Sequence, residues 1–418
     1  MKPVLFVTGH APSDRVGAFA LLSERENVEF ALFGGRSKHG VAVDKEHLPF
    51  PHRYIHQREA GRLASSGHYR AVVCSSGGRV ALPATWAGTR RAKEPLILWS
   101  GLWAHPRSAA HLLSYPALRR LYSSADAVVT YGPHVSSYVR ARGARNVHVA
   151  PQSVDNAFWS ASVEDLPADP RWPHEAQTKF VFAGRPDREK GVRALIEAWR
   201  ESGLTASAAA LVLVGVGSSP PWVPAGGAAD LILGTGPALV PMAGAVLVES
   251  SPNPEPDPYS AAGETAGETA LTSSTAPPTS LATTPAVITI PPVTPVQLRA
   301  MYADADVLVV PSIRTRTFRE PWGLVINEAM NRGLAVIASD EVGAVAGGLV
   351  RDGRNGLVVP AGDAHALARA MMRLAADPQL RARLGAAGAE DVRAYTHEAW
   401  AVGFSQALAS VGLSRTHW

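Results

Sequence analysis

Two cations and two carboxylates carry the most specific chemistry in this chain. Arg185 and Lys190 stand in Phe182-Ala183-Gly184-Arg185-Pro186-Asp187-Arg188-Glu189-Lys190-Gly191, a strand running into a loop. Far downstream, Glu320 and Glu328 stand eight positions apart in Glu320-Pro321-Trp322-Gly323-Leu324-Val325-Ile326-Asn327-Glu328. Fixed cations in a partly dry cleft stabilise the charge that grows on a departing diphosphate. Arg grips phosphate in a fork and Lys as a point charge. Pro321 and Gly323 hold back the next helix until about Gly323, which leaves the N–H groups of Gly323, Leu324 and Val325 free for phosphate. A carboxylate one turn into that helix, Glu328, can take both hydroxyls of a ribose. Glu320, before the break, would lie nearer a hexose. The set fits a sugar carried on a diphosphate. The plainer alternatives are a βα loop with surface charge and an acid favoured in a helix's first turn.

The elements that must hold these residues alternate in type. Apolar runs at Val4–Thr8, Val28–Phe33, Ala71–Ser75, Leu96–Trp99, Ala127–Thr130 and Val147–Ala150 alternate with helical stretches. The rhythm restarts at Lys179–Ala183, Ala210–Val214, Val307–Val310, Ala335–Ala338 and Gly356–Val359. Strand–helix alternation predicts parallel sheets, and 418 residues are too many for one ordinary core. The expectation is α/β: two Rossmann-like lobes facing a cleft. An N-terminal acceptor-binding lobe covers 1–160 and a C-terminal donor lobe 175–390. A final helix, 391–418, packs back on the first lobe. Asp155 to His174, with three prolines, reads as the linker.

Residues 217–295 break the pattern. They are rich in Pro, Gly, Ser, Thr and Ala, a composition that cannot bury enough apolar surface to order itself. This stretch reads as a largely disordered insertion in the donor lobe. The uncharged run Leu231 to Val248 is interrupted by glycines and prolines, which argues against a membrane span.

The charge is uneven. Residues 1–150 hold 20 Lys and Arg against 9 Asp and Glu, whereas 201–298 hold no cation and 7 acids. The basic first lobe suits an anionic acceptor or peripheral contact with a phospholipid surface. Cys74 is the sole cysteine, so no disulfide framework exists and a cytoplasmic setting is expected, including the inner face of a membrane. There is no zinc spacing, no Walker loop and no nucleic-acid motif. Gly215-Val216-Gly217-Ser218-Ser219-Pro220 is half a dinucleotide fingerprint, but Pro220 replaces its last glycine.

Five stretches resemble the family-4 retaining glycosyltransferases of the GT-B fold, the group 1 glycosyl transferases. They are Phe182–Gly191; Leu213–Gly217; Leu298–Ser312; Glu320–Met330 with Gly333–Ala338; and Asp352–Pro360. They cover the donor lobe outside the insertion. Ala125–Val129 with Pro151–Asp155 is a fainter echo in the first lobe. The resemblance implies a hexosyltransferase of the polysaccharide-biosynthesis type, with a nucleotide-diphosphate-sugar donor and a glycan, lipid-linked or small-molecule acceptor. It implies no cofactor and no metal. Gly184, Arg185 and Lys190 would bind the diphosphate, Gly323, Leu324 and Val325 the distal phosphate, and Glu328 the ribose. Catalysis would rest on Glu320, Lys190 and Arg185, with His105 the nearest match to the family's sugar-reaching histidine and His111 the second. The chain departs from the family where Thr8-Gly9-His10-Ala11-Pro12 lacks a Gly-Gly pair. Two rival readings stand beside this one, a nucleotide-sugar epimerase and a non-catalytic sugar-nucleotide-binding protein, and the missing pair motivates the second.

Overall fold

The computed structural model describes residues 1–34, 48–163, 171–216 and 287–413. Among these, two parallel sheets form the frame. The first contains β1 (Val4–Thr8), β2 (Val28–Leu32), β3 (His52–Tyr54), β4 (Ala71–Ser75), β5 (Leu96–Ser100), β6 (Ala127–Thr130) and β7 (Val147–Val149), in the order β3-β2-β1-β4-β5-β6-β7. The second contains β8 (Thr178–Ala183), β9 (Ala209–Val214), β10 (Val287–Ile290), β11 (Val307–Val310), β12 (Ala335–Ser339) and β13 (Gly356–Val359), in the order β10-β9-β8-β11-β12-β13. Strands such as Val-Leu-Phe-Val-Thr are apolar throughout because helices cover both faces of each sheet. The architecture is α/β with two Rossmann-like lobes.

The strand order places the chemistry. The order in which strands are added reverses once in each sheet, at β1/β4 in the first and at β8/β11 in the second. Loops leaving the carboxyl ends of the two strands at such a switch point diverge and leave a crevice. The loop after β8 carries Arg185 and Lys190, and the segment after β11 carries Glu320. The loop after β1 carries Asp14 and Arg15.

Two strands escaped the sequence reading. His52–Tyr54 is an edge strand without an apolar run, so it lacked the usual signal. Val287–Ile290 pairs with β9 in register Val287↔Leu211 to Ile290↔Val214. The insertion therefore ends before residue 287 rather than at 295. Its β-branched run was a strand signal, masked by the prolines around it. The rest of that expectation, including the Leu231–Val248 run, lies outside the described residues.

The linker also needs correction. Asp155 accepts a hydrogen bond from the Phe158 amide at 2.9 Å and caps a short helix, Asn156–Ser160. Trp159 is buried against Tyr302 of the second lobe, ring centroids 5.9 Å apart, and Asn331 donates to Asn156 at 2.9 Å. Residues 155–160 are thus a docked element, held by the lobe that follows them. After the second lobe, the helix His397–Ser410 packs on Val16–Glu26 of the first. Its Trp400 and Phe404 enter the aromatic cluster of Phe6, Phe19 and Trp99. Among the described residues no helix is long and apolar enough to cross a membrane.

Candidate active site in the interlobe cleft

The loop after β8 is pressed against the end of β11. It makes a 3-10 turn at Arg188–Lys190, then passes through Gly191 at φ +72° into the helix Val192–Ser202. The Ile313 amide donates to the Glu189 carbonyl at 2.8 Å. A side-chain carbon on Gly191 would sit 1.9 Å from the Pro311 carbonyl oxygen, so only glycine permits this approach. The consequence is that Lys190 reaches across to Glu320. Its Nζ lies 2.5 Å from Glu320 Oε2, and the Ser312 hydroxyl donates to the same oxygen at 3.3 Å. The Glu320 side chain is 8% exposed and that of Lys190 23%. The ammonium therefore keeps one face toward the cleft while a buried carboxylate fixes its position. Arg185 remains near the surface, paired with Asp187 at 2.9 Å.

Glu320 is anchored through its backbone. It bridges Val342, and the Gly343 amide donates to its carbonyl at 3.1 Å. The following helix begins at Val325, two residues later than the sequence suggested, because Gly323 takes φ +91° and Leu324 becomes the cap. Gly323, Leu324 and Val325 each keep an amide with no hydrogen bond recorded among the described residues.

Glu328 lies one turn into that helix and does not join the Lys190–Glu320 pair. Its Oε2 and the Tyr302 hydroxyl are both shut off from solvent, and neither completes a hydrogen bond, although the two groups face each other. Burial raises the Glu328 carboxyl to about 8. The charge of Asp14, from the loop after β1, pushes the same way, and Tyr302 works weakly against it. Such a carboxyl is protonated in the folded chain and ionised in the unfolded chain between about pH 4.5 and 8. Stability then falls as pH rises through that window, by ~1.4 kcal/mol per pH unit at most. Glu328→Gln removes this slope. Its Tm should meet the wild-type value near pH 5 and exceed it at pH 8; parallel melting profiles would contradict the assignment.

His105 is turned into its own lobe. Its Nε2 donates to the His111 carbonyl at 2.8 Å, its Nδ1 lies 3.4 Å from the Tyr138 hydroxyl, and its ring packs edge-on against Tyr115. No recorded contact joins it to Glu320, Lys190 or Glu328. His111 is likewise held by Ser108, at 2.6 Å.

Other first-lobe residues meet the second lobe instead, and the sequence reading missed them. Trp103 Nε1 donates to the Glu320 carbonyl at 3.0 Å, and its ring stacks under the Arg319 guanidinium at 3.3 Å. Arg319 in turn pairs with Glu341. His134 Nε2 donates to the Pro321 carbonyl at 3.3 Å. Burial lowers its pKa to about 4 against the pull of that carbonyl, and Arg319 lowers it further, so the ring is neutral at physiological pH. Asn327 donates to the Gln152 carbonyl at 3.0 Å. Each of these contacts lands on or beside the stretch that carries Glu320, so the first lobe braces that segment. A tryptophan in a loop and a histidine in the first turn of the short helix Pro133–Arg140 give no periodic signal, which is why only the fold exposes them.

Residues 279–391 match the family "Glycosyl transferases group 1". A phosphatidyl-myo-inositol mannosyltransferase of Mycobacterium leprae is 43% identical over 109 residues, which is 26% of this chain and 27% of that protein. A D-inositol 3-phosphate glycosyltransferase of Streptomyces bingchenggensis is 40% identical over 123 residues, 29% of this chain and 23% of that protein. The alignments thus span about a quarter of these relatives' length. Over nearly the whole chain the likeness is structural. Anabaena HepE, solved with UDP and glucose, matches 98% of this chain and 100% of its own at 14% identity and TM-score 0.64. The sucrose-phosphate synthase of Thermosynechococcus elongatus matches 99% of each chain at 19% identity and TM-score 0.64. This chain resembles the group 1 glycosyl transferases through residues 279–391, and its two lobes have the GT-B fold.

Proposed function

We propose that this protein transfers a sugar from a nucleotide-diphosphate sugar to an acceptor, with retention at the anomeric carbon and without a metal. The observation that carries this reading is the Lys190–Glu320 pair at the switch point of the donor lobe. The HepE structure, solved with UDP and glucose, supports a donor of that class. Lys190, aided by Arg185, receives the diphosphate, and the amides of Gly323, Leu324 and Val325 face its distal phosphate. Glu328, one turn into the helix after Gly323, accepts from the ribose hydroxyls. Glu320 orients both the ammonium and the sugar. It acts by position and charge rather than as a covalent nucleophile, with Lys190 and Ser312 holding its Oε2.

In the transfer, the bond from the anomeric carbon to the phosphate oxygen breaks as the acceptor oxygen bonds on the same face. The acceptor's proton passes to the leaving phosphate. The acceptor enters from the basic first lobe. Lobe closure excludes water and seats Glu320 through Trp103 and His134.

Slow hydrolysis of the donor without acceptor separates an enzyme from a binding protein. Hydrolysis by the wild type that disappears in Glu320→Ala is expected. Tight donor binding without any turnover would instead establish the non-catalytic reading, and donor isomerisation the epimerase.

A further inference from the structure

We propose that the exposed face of the helix Ala109–Ser124 docks this chain onto an anionic lipid surface. Leu112 is 63% and Leu113 84% exposed, and Ala109, Ala110, Pro116 and Ala117 are exposed beside them. A single exposed leucine is ordinary. An adjacent pair on a face otherwise made of alanine and proline is not what a solvated helix carries. Arg119 and Arg120 are exposed seven positions after the leucines, two turns along the same face and roughly 10 Å away. On the neighbouring helix Ala81–Ala92, Arg90 donates to the Ser124 carbonyl, which brings the exposed Arg90 and Arg91 to the same end. Arg107 precedes the helix. From residue 95 to 125 the chain contains no Asp or Glu.

Exposed leucines framed by arginines of one sign suit a bilayer with anionic headgroups: the apolar side chains enter the interface and the guanidiniums meet phosphates. A nucleic acid would leave the leucines unused. A second copy placed face to face would set the same cationic rim against itself. The helix also flanks the cleft mouth, since the Arg107 amide donates to the Arg316 carbonyl at 2.6 Å, four residues before Glu320. The docking argument does not depend on sugar transfer; only its implication, an acceptor carried by the lipid, rests on the proposed function.

Flotation with vesicles of phosphatidylcholine, alone or mixed with phosphatidylglycerol, tests it on the full chain. The wild type should float with the mixed vesicles only, and should be released in 1 M salt, where the Debye length is about 3 Å. Leu112→Asp/Leu113→Asp and Arg119→Glu/Arg120→Glu should each reduce binding about tenfold or more, with donor turnover and Tm unchanged. Three results would overturn the proposal: a wild type that floats with neither vesicle, a leucine variant that floats as well as wild type, or a wild-type dimer that the leucine variant dissociates. Turnover without flotation sinks the docking alone, and flotation without turnover sinks the sugar-transfer reading alone.

Discussion

Lys190→Ala should lower kcat of the proposed transfer by about 10²–10³-fold, the range for removing one preorganised donor to a developing charge. The ammonium is held 2.5 Å from Glu320 Oε2 by a carboxylate that is itself buried, so it needs no reorganisation as charge builds on the leaving phosphate. Its loss removes that stabilisation and also leaves Glu320 with only the Ser312 hydroxyl on its bonded oxygen. A buried carboxylate without its cation is costly, so a fall in Tm accompanies the fall in rate. Lys190→Arg separates the two effects. It keeps the charge and should recover Tm, but a planar guanidinium does not reproduce a point charge here, so the rate should stay low. Because the two residues work as a unit, Lys190→Ala combined with Glu320→Gln should cost little more than either alone. A less than threefold loss in Lys190→Ala would refute the role given to this side chain.

Gly191→Ala is the second large effect, and it acts through backbone alone. The residue sits at φ +72°, and a methyl group would lie 1.9 Å from the Pro311 carbonyl oxygen and 2.7 Å from its carbon. Neither atom is the flexible end of a side chain, so the loop after β8 and the end of β11 must move apart. The left-handed conformation and the overpacking together cost about 3 kcal/mol. The same movement separates Lys190 from Glu320, which stand on the two displaced segments. Turnover should therefore fall with stability, even at a temperature where the variant is fully folded. Thermal melting and donor turnover on one preparation check both parts; a variant with wild-type Tm would show that the approach at Gly191 is relaxed in solution.

The parts of this fold legible in the sequence are those with a repeating physical signal. Apolar runs between helices located eleven strands to within a residue or so, because strands buried on both faces must be continuously apolar. Glycine and proline around residue 321 marked the helix start, though the positive φ of Gly323 delays it to Val325. Arg185, Lys190, Glu320 and Glu328 stood out because unlike charges at fixed spacing beside glycine are uncommon. What was not legible was who meets whom. Spacing set Glu328 toward a ribose and Glu320 toward a hexose, but it did not show that Glu320 turns to Lys190 while Glu328 faces Tyr302. His105 was chosen for its place after a strand, whereas Tyr138 and the His111 carbonyl draw it into its own lobe. Trp103 and His134 touch the Glu320 segment from more than 180 residues away in sequence, and contacts at such separation leave no local pattern to read.

The most direct test of the central claim is thermal shift with UDP, GDP and ADP, each with and without EDTA, on wild type and Glu328→Ala. A ligand at about 100 times its Kd adds roughly 2.7 kcal/mol of stability. The predicted result is that one nucleotide raises the Tm of the wild type, does so equally in EDTA, and leaves Glu328→Ala unmoved. A wild type that responds to none of the three nucleotides and to no sugar nucleotide would contradict a donor site built on Lys190, Glu320 and Glu328.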